Sequence, residues 1–289
     1  MTPPDAKKLE KIRERLRVEW TDERTVTAWR TWRSHIAQFT RGATEAILEA
    51  AQLQPGMEVL DLASGVGDPA LAIAKAVGPS GKVIASDLGP GMISLAEEIA
   101  ETKGLKNIQF KIANAEALPF ANESFDVVTC RFGVMLFPDP VAALNECRRV
   151  LRRGGRVALV AWGAKEQPFF TTTAGILMKY VQMPAPDPEA PHLFMFGERG
   201  RLKRTLEEAG FKDAREEVRT INGKWKSSPE KYWEQFTEVA APFRPLIEKL
   251  TPETRARVVE EVLAALGKYW DGKELDMPLE IVVGTGTRE

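Results

Sequence analysis

The segment from Val59 to Ala74 reads VLDLASGVGDPALAIA, which predicts a strand that runs into a glycine-rich turn and then a helix. Gly65 and Gly67 allow the backbone to turn sharply and to approach a ligand that a Cβ would obstruct. Twenty residues after Gly67, Asp87 ends a second apolar run. A carboxylate at that place can accept both hydroxyls of a ribose. The pattern therefore indicates a site for a nucleotide or a nucleoside.

Several features of the sequence bear on whether the ligand is a dinucleotide or a nucleoside. With Ala70 the loop satisfies G-x-G-x-x-[GA], the spacing of a dinucleotide site. However, Asp61 precedes the glycines, and its charge would repel a pyrophosphate at 4 Å by about 1 to 4 kcal/mol, whereas it would attract a cation. Asn114 and Glu116, in NAEALPF, could both read the exocyclic amine of an adenine. No second mononucleotide-binding half follows in 149–159, so a nucleoside fits better.

Alternating patterns of apolar residues predict the elements that hold these groups. The predicted strands cover residues 57–62, 82–87, 108–112, 125–130, 156–162, 214–221 and 279–283. The predicted helices cover residues 68–77, 90–102, 140–151 and 201–210, with more helical pattern from 228 to 268. Strands alternating with amphipathic helices are typical of α/β proteins, so we expect a doubly wound, mostly parallel, seven-stranded sheet. Its ligand should bind beyond the carboxyl ends of the strands.

The remaining segments suggest a lid and a cap. Residues 1–52 are helical in pattern and predict an N-terminal helical lid, and residues 53–162 predict the cofactor-binding α/β core. Residues 163–274 combine an inserted, largely helical substrate cap with later sheet elements, and 275–289 supply the final strand. The cap contains the uncharged segment 167–178 and a proline-rich stretch at Pro184, Pro186, Pro188 and Pro191.

Composition excludes several classes of protein. With 40 Lys and Arg against 41 Asp and Glu, the 289-residue chain has a net charge of −1, which disfavours a general nucleic-acid binder. No apolar run approaches the roughly 18 residues of a membrane span, and the first 17 residues lack the apolar region of a secretory signal, so we expect a cytoplasmic protein. Two cysteines make no disulfide framework, and two histidines make no histidine-rich metal site. We expect a monomer or homodimer without a metal.

Five segments in order resemble the class I S-adenosylmethionine-dependent methyltransferases, in the small-molecule branch similar to the ubiquinone and menaquinone C-methylases. They are VLDLASGVGD, VIASDL, NAEALPF, FDVVTCRFGVMLF and RVLRRGGRVALVAW. The resemblance implies a Rossmann-like methyltransferase fold, S-adenosylmethionine as cofactor and S-adenosylhomocysteine as product. It also implies transfer of the methyl group to a small organic acceptor, which proceeds by in-line displacement at the sulfonium. The uncharged segment 167–178 suggests that this acceptor is largely apolar. The chain departs from the family pattern at Ala63 and Ser64, where the family often has Gly-Cys, and at Asn114, where it often has Asp.

The resemblance implies that residues 61–67 wrap the methionine part of the cofactor, that Asp87 takes the ribose hydroxyls, and that Asn114 and Ala115 face the adenine. The predicted cofactor residues are Asp61, Ala63, Ser64, Gly65, Val66, Gly67, Asp87, Leu88, Met92, Asn114, Ala115, Glu116, Cys130 and Arg131.

The predicted substrate residues are aromatic or methionine side chains near the fourth strand, in the lid and in the cap: Trp29, Trp32, Phe132, Met135, Phe169, Phe170, Tyr180 and Phe194. His35 and His192 are the candidate bases, which are needed only if the acceptor must lose a proton. Two alternatives stay open, an NAD(P)-dependent oxidoreductase that uses the same glycine loop and a non-catalytic cofactor-binding module.

Overall fold

The computed structural model describes residues 6–181 and 190–289, so Pro184, Pro186 and Pro188 of the predicted cap lie outside the described residues. The strands are β1 (Glu58–Leu62), β2 (Lys82–Asp87), β3 (Ile108–Ile112), β4 (Phe125–Arg131), β5 (Leu151–Trp162), β6 (Lys212–Trp225) and β7 (Leu275–Thr287). They form one sheet in the order β3-β2-β1-β4-β5-β7-β6. Strands β1 to β5 pair in parallel, and β7 is antiparallel to β5 and β6. The predicted mostly parallel, seven-stranded α/β fold is confirmed.

Helices cover the sheet and form an N-terminal extension. They are α1 (Ala6–Thr21), α2 (Glu23–Phe39), α3 (Arg41–Ala51), α4 (Ala70–Val77), α5 (Pro90–Thr102), α6 (Pro140–Val150), α7 (Pro168–Thr171), α8 (Ala174–Leu177), α9 (Arg201–Glu208), α10 (Pro229–Val239), α11 (Arg244–Glu248) and α12 (Pro252–Leu266). Helix α3 contacts β4, β5 and β7, whereas α4 and α5 contact β2 and β3. Because helices cover the central strands, β1 and β4 are buried along most of their length, and the buried Asp61 and Thr129 interrupt their otherwise apolar interiors.

The strand order places β1 at the switch point of the sheet. From β1 the chain adds β2 and β3 on one side and β4 and β5 on the other. Diverging connections leave a crevice at the carboxyl ends of such strands, and ligands of open α/β sheets bind there. The turn between β1 and α4, residues 63–69, lies at this crevice and is called the glycine-rich loop below.

Strand β5 is longer than the sequence pattern predicted. The expected helix end, Gly-Gly turn and strand at 156–162 are replaced by a strand that begins at Leu151. Leu151 pairs with Phe125, and the register with β4 shifts before Arg156 pairs with Val127. Gly154, at a φ of 75°, thus lies in an irregularity of the strand.

The last two strands also extend beyond the predicted ranges 214–221 and 279–283. They pair with each other from Lys212 opposite Thr287 to Trp225 opposite Leu275. The start of β7 alternates the buried residues Leu275, Met277 and Leu279 with exposed or partly exposed ones, a strand signal that the predicted range missed, whereas β6 extends through mostly polar residues without a clear apolar pattern.

The N-terminal extension is held by polar contacts at its corners. Asp22 begins α2 and accepts a hydrogen bond of 3.2 Å from the Arg24 amide. The buried Arg244 of α11 forms an ion pair of 3.2 Å with Asp22 and donates a hydrogen bond to the Thr25 hydroxyl. Thr40 ends α2 and begins α3. Within 6–181 and 190–289, no helix combines the length and the apolar character that crossing a bilayer requires.

Candidate functional site

A cavity of about 910 Å³ lies at the carboxyl ends of β1, β2 and β4, where α1 and α2 cover it. This volume is near the upper end of the roughly 300–1,000 Å³ typical of small-molecule sites. Its lining includes eleven of the predicted cofactor residues: Ala63, Ser64, Gly65, Val66, Asp87, Leu88, Met92, Asn114, Ala115, Glu116 and Arg131. It also includes Trp29, Phe132 and Met135 of the predicted substrate residues.

The glycine-rich loop forms one wall of the cavity. Gly65 and Gly67 have φ values of 52° and 98°, which favour glycine. A Cβ at Gly65 would meet no protein atom within 4 Å, whereas one at Gly67 would lie 3.1 Å from the Leu71 side chain. Gly65 thus leaves open space beside the cavity, and Gly67 allows α4 to pack closely. Ala63 has a φ of 50° despite its Cβ, so the loop carries backbone strain at the site.

Asp87 ends β2 and fixes the loop to it. Its Oδ2 accepts a hydrogen bond of 2.8 Å from the Gly65 amide, and its Oδ1 accepts one of 2.9 Å from the Gly89 amide. Burial raises the pKa of Asp87, and these backbone donors counteract the shift. Each carboxylate oxygen has a second lone pair, so both remain able to accept a ligand hydroxyl.

Asp61 lies beneath the loop, outside the cavity lining, and is completely buried. Its Oδ1 accepts a hydrogen bond of 2.6 Å from the Thr129 hydroxyl, while Oδ2 has no partner among the described residues. Burial raises the pKa of Asp61 to about 7; Thr129 and the positive charge of Arg131 lower it, and Asp68 and Asp87 raise it further. A carboxyl group that changes charge near neutral pH therefore lies directly under the loop.

The loop after β3 joins the core to α1. Asn114 Oδ1 accepts a hydrogen bond of 3.0 Å from the Glu116 amide. The Glu116 carboxylate accepts one of 2.8 Å from Arg13 Nε of α1 and one of 2.7 Å from the Asp139 amide. Its side chain is only 6% exposed. Glu116 lines the cavity while its carboxylate is bound to the lid, and its role in reading the exocyclic amine of an adenine stays a prediction.

Aromatic and other apolar side chains form a further wall. Phe132 stacks on Trp162 with ring centroids 4.0 Å apart and planes at 20°. Phe132 also has a φ of 62°, which is unusual for a bulky residue and is often found at functional sites. Trp29 lies 6.2 Å from Trp20, and its indole Nε1 is buried without a partner among the described residues. The cavity thus combines a polar loop with an apolar wall.

Several predicted residues lie elsewhere. Trp32 donates from Nε1 to Glu238 at 2.6 Å, and His35 packs against Trp225 with ring centroids 4.7 Å apart. Both belong to an aromatic cluster on the side of α2 that faces β6 and α10, outside the cavity lining. His192 is also outside the lining, although its neighbour Leu193 is part of it; burial lowers the pKa of His192.

The predicted cap residues do not line the cavity. Phe169 packs on Trp162 at 4.7 Å and on Phe194 at 6.0 Å, so these rings continue the aromatic wall away from the cavity. Phe170 packs edge-on against Phe194, and the Tyr180 hydroxyl bonds to Glu261. Among the predicted cofactor residues, Gly67 and the fully buried Cys130 also lie outside the lining, and burial raises the thiol pKa of Cys130. The roles given to residues outside the lining remain predictions.

The structure adds residues that sequence reasoning missed. On α1 and α2 they are Glu10, Arg13, Glu14, Leu16, Arg17, Trp20, Arg33, Ile36, Ala37 and Thr40. Elsewhere they are Asp68, Ser86, Ala113, Ala117, Gly133, Leu136, Pro138, Trp162 and Leu193. The α2 members, with Trp29, follow helical spacing, so a periodicity test starting from Trp29 could have found them. Nothing in the sequence indicates that α1 lies over the loop after β3.

Comparisons with known proteins agree with this geometry. The chain is 41% identical over 116 residues to the ubiquinone/menaquinone biosynthesis C-methyltransferase UbiE of Rhizobium leguminosarum bv. trifolii, covering 40% of this chain and 45% of that protein. It is 36% identical over 122 residues to the uncharacterized methyltransferase YcgJ of Bacillus subtilis, covering 42% of this chain and 47% of that protein. These matches therefore span less than half of the curated relatives' length.

Among solved structures, the fold is similar to that of YcgJ from Bacillus subtilis, with a TM-score of 0.57 and 21% identity over 86% of this chain and 99% of that one. The sequence model of the ubiE/COQ5 methyltransferase family matches residues 29–222, which are more than half of the chain. The chain belongs to the ubiE/COQ5 methyltransferase family.

Proposed function

We propose that the chain is an S-adenosylmethionine-dependent methyltransferase that transfers a methyl group by in-line displacement to a small, largely apolar organic acceptor. One observation carries the proposal. A single cavity is lined both by a loop and carboxylate suited to a nucleoside, at Gly65 and Asp87, and by an apolar wall at Phe132 and Trp162. At about 910 Å³, it has room for a cofactor and a small acceptor side by side.

The residues present fit S-adenosylmethionine. The space beside Gly65 admits a ligand close to the backbone. Asp87 keeps free lone pairs for two ribose hydroxyls, and Asn114 at the cavity offers an amide for an adenine edge. The charge of Asp68 is balanced by Arg131, so the Asp61 carboxylate beneath the loop is the group that, when ionised, would favour a cationic part of the ligand.

The bound cofactor supplies an electrophilic methyl group, and the chain supplies alignment and exclusion of water. Helices α1 and α2 cover the cavity, so a bound acceptor and cofactor would be shielded from solvent. Phe132 and Met135, on the segment after β4, would fix the acceptor on its apolar face. Holding two reactants in line converts an encounter in solution into a step within one complex, which lowers the barrier.

The proposal assigns no general base. His35 and His192 lie outside the cavity lining. An acceptor atom that has no proton to lose needs no base, whereas a hydroxyl or an aromatic carbon, as in a hydroquinone, must release a proton, which would pass to bulk water. The division into lid (1–52), core (53–162), cap with later strands (163–274) and final strand (275–289) also forms part of the proposal, as does a monomeric or homodimeric state.

Titration of the purified chain with S-adenosylhomocysteine and, separately, with NADH tests the proposal against an oxidoreductase. Calorimetry should detect S-adenosylhomocysteine binding and no NADH binding, and binding of NADH alone would overturn the proposal. Methyl-labelled S-adenosylmethionine with a panel of small acceptors, beginning with hydroquinones because a relative is named for ubiquinone and menaquinone biosynthesis, then tests transfer. Tight cofactor binding without transfer to any acceptor would favour a non-catalytic module.

A further inference from the structure

Arg131 connects three parts of the molecule at the cavity. Its Nη1 donates to the Thr40 hydroxyl at 2.7 Å and to the Thr44 hydroxyl at 3.2 Å. Its Nη2 donates to the Asp68 carbonyl at 2.9 Å and lies 3.0 Å from Asp68 Oδ2. The end of β4 is thereby tied to the glycine-rich loop and to the corner between α2 and α3 (residues 40–44).

The two Nη atoms of Arg131 have protein acceptors, and the network is largely buried. The Thr44 hydroxyl donates to Asp68 Oδ1 and Oδ2 at 3.2 and 3.3 Å while it accepts from Arg131, and the Thr40 hydroxyl donates to the Ile36 carbonyl at 2.8 Å. The Arg131 side chain is 9% exposed. A guanidinium has five N–H groups, and the two Nη atoms of Arg131 direct theirs at protein acceptors. Nε is buried without a partner among the described residues, so the two Nη atoms serve the protein and only Nε is left uncommitted.

The backbone near Arg131 makes the loop sensitive to this network. Phe132 and Ala63 both have positive φ values, 62° and 50°. A Cβ added at Gly133 would lie 2.5 Å from the Ala63 Cβ, so the segment after β4 and the start of the loop pack without spare room. Strained backbone persists only where its surroundings hold it, and Arg131, the residue before Phe132, is tied to Asp68 at the far end of the loop.

We propose that Arg131 is a positioning residue that holds the glycine-rich loop in its ligand-binding shape by way of Asp68, Thr40 and Thr44. This inference rests on the proposed function, because the ligand at the loop is taken to be S-adenosylmethionine. It differs from the role that the sequence predicted for Arg131, which was direct contact with the cofactor.

Arg131 also acts on Asp61 through its charge. Thr129 and Arg131 are two residues apart on β4 and so share a face of the sheet, and Thr129 is paired with Asp61. The groups that act on the Asp61 carboxyl are the Thr129 hydroxyl, Arg131, Asp68 and Asp87. Loss of the Arg131 charge leaves Asp68 and Asp87 unopposed, which raises the pKa of Asp61 further.

The experiment measures the dissociation constant of S-adenosylhomocysteine from pH 6 to pH 9 for the wild type and four variants. Thr44→Val removes two links of the network at a residue outside the cavity lining. Thr102→Val is its control, because the exposed Thr102 hydroxyl bonds only to the Glu98 carbonyl of its own helix. Arg131→Met removes both the guanidinium hydrogen bonds and the positive charge. Arg131→Lys keeps the positive charge but not the guanidinium geometry.

Arg131→Met should weaken binding by about tenfold or more, and Thr44→Val by about three- to tenfold, as expected for loss of hydrogen bonds to charged groups. Thr102→Val should stay within about twofold of the wild type. The pH at which affinity is half lost should move upward in Arg131→Met and stay near the wild-type value in Arg131→Lys, although the latter binds more weakly. A loss of folding stability alone would not make the pH dependence of affinity differ between Arg131→Met and Arg131→Lys.

Three results decide the matter. Wild-type affinity for Thr44→Val overturns the inference, because the network would then not act on the ligand. Identical pH profiles for folded Arg131→Met and Arg131→Lys would overturn the inference that the Arg131 charge acts on the pKa of Asp61. If the wild type itself does not bind S-adenosylhomocysteine, the proposed function fails instead. If Arg131→Met does not fold, Thr44→Val still tests the network, and Arg131→Gln, which also removes the charge, takes its place in the comparison with Arg131→Lys.

Discussion

The Gly65 amide donates a hydrogen bond of 2.8 Å to Asp87 Oδ2, and this bond joins the middle of the glycine-rich loop to the end of β2. The residue expected to receive the ribose therefore also shapes the loop. Loss of its side chain removes contacts to the ligand and an internal support of the site together.

Asp87→Ala is expected to weaken S-adenosylhomocysteine binding by about 1.5 to 3 kcal/mol, because charge-assisted hydrogen bonds are lost. Isothermal titration calorimetry measures the change. Asp271→Ala is the matched control: its Oδ1 also accepts from two backbone amides, at 2.7 and 2.8 Å, but in an exposed turn outside the cavity lining. Equal affinities of folded Asp87→Ala and wild type would show that the ligand binds elsewhere.

Asp61 predicts a dependence of binding and of stability on pH. A cationic group of the ligand near Asp61 favours the ionised carboxylate, so affinity should fall as pH decreases through about 7. The stability of the ligand-free protein depends on pH in the opposite direction. Because the folded pKa lies above the ordinary 3.8, the folded chain binds the proton more tightly, and stability decreases as pH rises from about 4 to about 7.

Asp61→Asn separates the two effects. The amide cannot ionise, so the variant should bind S-adenosylhomocysteine weakly, with little change between pH 6 and pH 8. At pH 8 its ligand-free form should melt at a higher temperature than the wild type, because no buried charge remains to be desolvated. Binding by the variant that still weakens with falling pH, in parallel with the wild type, would assign the titration to another group.

The sequence predicted the elements between 82 and 112 to the residue, because Asp87 and Pro90 mark a strand end and a helix start and the apolar pattern is regular. It failed where distant parts of the chain meet. Glu116 and Arg13 are 103 residues apart, and no spacing rule joins them. Periodicity placed Trp29 and Trp32 on one helix, but only packing against β6 and α10 decides that Trp29 faces the cavity and Trp32 does not.

The Arg13 to Glu116 ion pair predicts how the lid behaves. Arg13→Met should loosen α1, speed dissociation of S-adenosylhomocysteine, and make α1 more sensitive to limited proteolysis, because a charge-assisted contact between lid and core is lost. Stopped-flow displacement and a trypsin time course measure these effects. Arg15→Met removes the same charge from an exposed position of α1 outside the cavity lining and should leave both unchanged. Similar behaviour of the two variants would mean that the ion pair does not hold the lid.

Phe132 offers a test of strain at the cavity wall. Its φ of 62° suits glycine, so Phe132→Gly should be more stable than Phe132→Ala by about 1 to 2 kcal/mol, although both lose the stacking on Trp162. Urea unfolding measures the difference. Phe120, which packs edge-on against Phe125 and is absent from the positive-φ residues, is the control, and there alanine should be the more stable replacement. If alanine is also preferred at position 132, the backbone there is not strained. If glycine is preferred, the native side chain is retained against a local cost, as expected for a ring that contacts the acceptor.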